Sequence, residues 1–214
     1  PYFKRNYLYG EAMTHILGYV GRINDRDVER LKKEEKFANY SGSTDMGKLG
    51  IERYYEEQLH GMTGFEEVEI NNRGKVIRKL REQPATAGKS IHLTIDLALQ
   101  RHIMSLLSGQ KGAVVVLDPK DNSVLAMVST PSYDNNLFVD GISASDYKRL
   151  LNDPARPLYS RATQGVYPPA STVKPFVAVA ALTEGVITPH TTICLLYTSD
   201  VSEIGKNQDT AIQI

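Results

Sequence analysis

Ser171 and Lys174 lie three residues apart in "GVYPPASTVKPFVAVAAL" (residues 165–182), behind two prolines and ahead of a long apolar run. A serine hydroxyl becomes a competent nucleophile when a neighbouring base takes its proton, and a partly desolvated lysine amine is such a base near neutral pH. Together the two could attack an acyl carbon and hold the product as a serine ester. Spacing alone assigns nothing. Ser-x-x-Lys recurs at Ser108–Lys111 and Ser145–Lys148, and roughly one chance match is expected with this many serines and lysines.

The elements around each pair separate them. Ser108–Lys111 follows a helical pattern, Leu99, Ile103, Leu106 and Leu107, and runs into Gly109 and Gly112. A helix C-terminus presents carbonyls and partial negative charge, which disfavours an alkoxide. Ser145–Lys148 sits in "SASDYKRLLND", where Ser145 is expected to cap a short surface helix and Lys148 to face solvent. At Ser171–Lys174, Pro168 and Pro169 exclude helix before them and hold the chain extended. The helix is therefore predicted to start at about Ser171, with Pro175 in its first turn, where an amide hydrogen has no partner to lose. Positions i and i+3 share a face, so the amine can reach the hydroxyl. "FVAVAAL" is apolar all round, which predicts a fully buried helix ending near Gly185. Free amide N–H groups and the positive dipole end at its start would steady an oxyanion. Two readings stand on these residues: Ser171 is a nucleophile with Lys174 as its base, or Ser171 caps the helix and Lys174 snorkels.

The first half reads as a small α+β unit. "DRDVERLKKEEKF" is an exposed helix that Asp25 or Asp27 is expected to cap, and "GKLGIERYYEEQLHG" a second helix stopped by Gly61. "EEVEINNRGKVIRKL" reads as a β-hairpin turning at Asn72-Arg73-Gly74. Residues 81–90, with Pro84 and Gly88, are the linker candidate. "IHLTID" is predicted as a strand ending at the helix cap Asp96, and "GAVVVLDPKDNSVLAMVS" as a hairpin whose first strand, apolar on both faces, calls for cover on both. Residues 130–143 and 152–165 are long irregular segments, which tend to line sites. Chemistry is expected in the second half and contact in the first.

Composition narrows the classes. Lys plus Arg equals Asp plus Glu at 25 each, so no net field draws nucleic acid or an anionic membrane. Cys194 is the one cysteine, which rules out an internal disulfide. His190 and Cys194 are i, i+4 neighbours, but two ligands are too few for a metal site, and no metal or cofactor is expected. No apolar run approaches the roughly 20 residues of a membrane span. A chain opening at Pro1 is expected to be part of a longer polypeptide.

At "YPPASTVKPF" the chain resembles the first active-site motif of the class B penicillin-binding proteins; Ser-x-x-Lys is a known signature of these enzymes and of class A β-lactamases. The likeness extends through "SYDNNLFVDGIS", "LNDP", "SRATQGVYPPASTVKPFVAVAALTEGVIT" and, upstream, "GKLGIERYYEEQLHGMTGFEEVEINNRGKVIRKL", from near residue 1 to about 193. It implies an α+β protein: a pedestal (dimerisation-type) domain over 1–90, then over 91–193 the N-terminal part of a serine β-lactamase/transpeptidase-like domain. It also implies a parent anchored in the bacterial inner membrane by a helix absent here, with its catalytic part in the periplasm. Ser171 would be the acyl nucleophile and Lys174 the general base, acting on stem peptides that end in D-Ala-D-Ala and acylated by β-lactams. Family members work beside a polytopic glycosyltransferase and a scaffold protein of cell elongation. Alternatives are a pedestal that docks partners without catalysis, or a β-lactamase or β-lactam sensor sharing the motif. Ala170 stands where relatives often have glycine, a tolerable change if its backbone angles are ordinary. Residues 194–214, "CLLYTSDVSEIGKNQDTAIQI", match nothing expected of the family; "CLLYTS" resembles translated adapter read-through, and a non-native tail is expected. The motifs Ser-x-Asn and Lys-Thr-Gly, expected downstream, are absent, so the chain as given is expected to be inactive.

Overall fold

The computed structural model describes residues 4–194 and 211–213. Two compact units emerge, Pro1–Gly165 and Val166–Ile214. A packing unit and a family domain are different things, and the division at residue 90 remains an expectation about the latter.

The first unit opens with a 3-10 turn, Gly10–Ala12, then α1 (Thr14–Leu17), β1 (Val20–Arg22) and α2 (Asp25–Lys33). The cap of α2 is Asn24, one residue before the expected aspartate, and Asp27 closes a capping box by accepting from the Asn24 amide at 3.0 Å. Strand β2 (Asp45–Gly47) pairs antiparallel with β1, Gly21 opposite Met46. Leu31, Tyr40 and Met46 form a small core, with Ile23 against it. The single helix expected over residues 50–60 is two, α3 (Gly50–Tyr54) and α4 (Glu56–His60), broken at Tyr55 and stopped by Gly61 at φ +76°. The break serves the chain next door, because the Glu56 carboxylate accepts the Gly47 amide at 2.8 Å.

Strands β3 (Phe65–Ile70) and β4 (Val76–Gln83) form the expected hairpin. The linker candidate behaves otherwise: β4 runs through Gln83, and Thr86 pairs with Met62. Gly88 lies so close to α4 that an added Cβ would stand 1.8 Å from the Leu59 carbonyl oxygen. Residues 84–90 are thus exposed yet tied by backbone contacts to residues 58–64.

Asp96 caps α5 (Leu97–Leu106) as expected, its carboxylate accepting from the Leu99 amide at 2.9 Å. The predicted strand over 91–96 is not a strand: it meets its neighbour through Thr94 Oγ1 to the Val124 carbonyl and the Asp96 amide to the Leu125 carbonyl, too few bonds for a ladder. Strands β5 (Gly112–Leu117) and β6 (Val124–Thr130) form the predicted hairpin, with Ala126 and Val128 packed on Ile103 of α5. Helix α5 covers one face only. The other face of β5 leaves Val115 and Leu117 half exposed, against the expectation of cover on both sides. Helices α6 (Ala144–Asn152) and α7 (Arg161–Gln164) complete this unit.

In the second unit, a 3-10 turn, Ala170–Val173, leads into α8 (Lys174–Thr183), and β7 (Thr192–Cys194) pairs antiparallel with β8 (Ala211–Gln213). The rest of the tail expected to be non-native, and the side chain of Cys194, lie outside the described residues.

Candidate functional site

Ser171 does not cap a helix. The cap positions are Pro169 for the 3-10 turn and Val173 for α8, and neither helix start has a side-chain cap bond. The serine sits inside the 3-10 turn, and its carbonyl accepts the Lys174 amide. A 3-10 helix has three residues per turn, so positions i and i+3 eclipse. Ser171 and Lys174 are therefore stacked on one side, closer in register than an α-helix would set them. Thr172 Oγ1 donates to the Pro169 carbonyl, and the Thr172 amide donates to the same oxygen at 3.1 Å, which closes the turn. Among the described residues no hydrogen bond joins Ser171 Oγ to Lys174 Nζ, and both residues are exposed.

Two expectations about this lead-in are corrected. Pro169 is not extended; its φ of −69° and ψ of −19° already follow the helical path. Ala170 then takes φ +47°, the left-handed region, so its backbone angles are not ordinary. A Cβ there meets the carbonyl oxygen, at a cost of about 1–2 kcal/mol that glycine escapes.

Burial of the helix is corrected too. Pro175 lies in the first turn of α8 as predicted, but the helix starts at Lys174 rather than at Ser171, Ala178 is its one buried residue, and Phe176 is 77% exposed. Apolar residues on every face need cover on every face, and the described residues supply it at Ala178 alone. The desolvation that serine–lysine chemistry calls for is therefore not supplied around Lys174.

The other two pairs lie in different settings. Ser143, not Ser145, caps α6, accepting from the Asp146 amide at 3.0 Å; Ser145 Oγ hydrogen-bonds Ser143 Oγ at 2.9 Å, and Lys148 faces solvent. Ser108 and Lys111 line a cleft of about 540 Å³ at the C-terminal end of α5, together with Arg101 and Ser132.

Sequence reasoning missed a set of buried amides. Gln100 is 1% exposed; its Nε2 donates to the Ala12 and Met127 carbonyls and its Oε1 accepts the Met127 amide, all at 2.8 Å. Asn135 Nδ2 donates to the Gly18 carbonyl at 2.7 Å. Asn136 exchanges two bonds with the Tyr7 backbone, at 2.9 and 3.0 Å. Residues 131–139, expected to line a site, dock on residues 7–18, while Pro131 and Ser132 also line the cleft at the end of α5. The lone signal was "SYDNNLFVD", polar and apolar residues mixed without a period.

Among the described residues no three His, Cys, Asp or Glu side chains gather as a metal site, and no helix is long and apolar enough to cross a membrane.

Residues 1–93 match the penicillin-binding protein dimerisation domain and residues 112–208 the penicillin-binding protein transpeptidase domain. The chain is 83% identical over 193 residues to peptidoglycan D,D-transpeptidase MrdA of Haemophilus influenzae, a span of 90% of this chain and 30% of that protein. Identity to MrdA of Escherichia coli K12 is 65% over 192 residues, again 90% of this chain and 30% of the relative. Among solved structures, Pseudomonas aeruginosa PBP2 in complex with WCK 5153 superposes at TM-score 0.77 with 44% identity, covering 91% of this chain and 39% of that one. Helicobacter pylori PBP2 in complex with MreC gives TM-score 0.78 at 31% identity, covering 89% and 35%. The chain thus spans about 30% of the length of the curated relatives it matches.

Proposed function

Since the chain belongs to the penicillin-binding proteins, with the dimerisation domain and the start of the transpeptidase domain, we propose that it is the part of a peptidoglycan D,D-transpeptidase that carries the acyl nucleophile. In this reading residues 1–90 are the pedestal and 91–193 the first part of the catalytic domain. Ser171 Oγ attacks the carbonyl of the penultimate D-alanine, and its proton passes to Lys174 Nζ. The peptide C–N bond breaks, D-alanine leaves with a proton on its nitrogen, and an acyl ester remains on Ser171. An amine of a neighbouring stem then attacks the ester carbon, forming the cross-link amide and returning the proton to Ser171. A β-lactam acylates the same oxygen by opening its ring. The catalytic part works in the periplasm, on a protein held at the inner membrane.

The observation that carries the reading is the 3-10 turn: it stacks a serine and a lysine and leaves the hydroxyl free of a cap bond. Fluorescent-penicillin labelling tests it. A full-length protein containing this segment is expected to label, and its Ser171→Ala variant is not; labelling that survives the substitution refutes the assignment. The 214-residue chain is expected not to label, because a bare α8 leaves Lys174 in water.

A second reading is docking of a scaffold protein of the elongation complex on the pedestal, as the complex of the H. pylori protein with MreC suggests. Hairpin β3–β4 supports it, since Ile70, Ile77 and Leu80 stand in solvent. Ile77→Glu with Leu80→Glu in the full-length protein is expected to abolish capture by such a scaffold; unchanged capture removes the hairpin from the interface. Residues 1–90 alone are a poor probe, because Ala12, Gly18 and Tyr7 bond to residues beyond 90.

A further inference from the structure

His15 lies at the seam where residues 7–18 meet residues 131–139. Its ring stands edge-on to Tyr133, centroids 5.6 Å apart, and its Nε2 is buried with no hydrogen-bond partner among the described residues. The seam is held by neutral, directional bonds. Thr14 Oγ1 donates to the Tyr133 carbonyl at 2.6 Å, and the Asn135 and Asn136 amides bond to the Gly18 and Tyr7 backbone.

A charge on the imidazole finds little to balance it there. Tyr133 presents a neutral ring. On α7 the group that acts on the ring is the Arg161 guanidinium, of like sign to a protonated histidine. Arg156, on the preceding loop, turns its guanidinium over the Tyr159 ring at 4.7 Å. On the histidine's own segment Glu11, one turn earlier, stands in solvent. Burial pushes the imidazole below its ordinary value, and Arg161 adds to this; the Pro131 and Pro157 carbonyls pull the other way without reversing it.

We propose that His15 is an acid-sensitive latch, closing the seam between residues 7–18 and 131–139 when neutral and opening it when protonated. The sign follows from linkage. A histidine depressed in the folded state takes up its proton more readily when the seam is open. Its stabilising contribution is complete above the ordinary value and fades as pH falls below it. Between pH 7.5 and 5.5 the seam-opening equilibrium rises by up to about tenfold. The latch rests on residues in the first unit and stands whether or not Ser171 is a nucleophile.

Hydrogen–deuterium exchange of the 214-residue chain, resolved by peptide and corrected for intrinsic rates, tests it. Protection of residues 7–18 and 131–139 is expected to fall at pH 5.5, with hairpin β3–β4 unchanged. His15→Phe keeps the ring and removes the titration, and its seam is expected not to respond. An acid response that persists in His15→Phe, or none in the parent chain, overturns the latch. Should the variant fail to fold, NMR titration of the parent's ¹³C-labelled histidines decides: a His15 midpoint at or above about 6.5 overturns it, and one below supports it.

Discussion

Ala170 precedes the serine at φ +47°, and its place in the chain frames the geometry: Pro169 is already helical, and the backbone reverses its twist at the first residue of the 3-10 turn. Ala170→Gly is expected to stabilise the chain by about 1 kcal/mol, and Ala170→Val to destabilise it by at least as much, both measured by denaturant unfolding. The side chain of Gln100 is another point where one residue decides much. Gln100→Ala leaves the Ala12 and Met127 carbonyls and the Met127 amide without their buried partner. A loss of about 3 kcal/mol is expected in the same measurement. Gln100 was not legible beforehand, and at Ala170 the signal was the glycine that relatives often carry there. Positive φ at alanine has no pattern signature, and a buried glutamine looks in sequence like any solvated one.

Elements were more legible than their ends. The β5–β6 hairpin and α5 followed from continuous apolarity and from Leu99 and Ile103 at helical spacing, since local propensity and burial agree there. Caps slipped by one or two residues, to Asn24 and Ser143, because several cap-competent residues stand in a row and backbone geometry chooses among them. The pair α3–α4 read as one helix because a break at Tyr55 serves a tertiary bond, Glu56 to Gly47, that periodicity does not see. Asp27 is the element-scale test. Burial alone would lift its carboxyl, but the Lys48 ammonium and the Asn24 amide outweigh burial and hold it below the usual carboxylate range. A depressed carboxylate contributes stability above its ordinary value and loses it as pH falls through the lowered one. Asp27→Asn is expected to cost about 1 kcal/mol at pH 7 and to be nearly neutral at pH 2, read from melts at the two pH values.

Across the whole molecule, apolar surface and its cover do not balance. Phe176, Val177 and Val179 on α8, and Val115 and Leu117 on β5, stand in water. Sequence pattern specifies that a helix is apolar all round, not what covers it, which is why α8 was legible and neither its surroundings nor the turn that leads into it were. Exposure on this scale predicts self-association: the 214-residue chain is expected to bind a hydrophobic dye and to elute as oligomers, which light scattering would check, whereas α8→polar changes at Val177 and Val179 should reduce both.

Intact-mass and peptide mapping of a full-length protein after exposure to benzylpenicillin tests the central assignment most directly. The account predicts one covalent penicilloyl adduct, on the peptide containing Ser171 and attached to that residue, and none in Ser171→Ala. An adduct on any other residue, or one that forms equally well in the alanine variant, would contradict it.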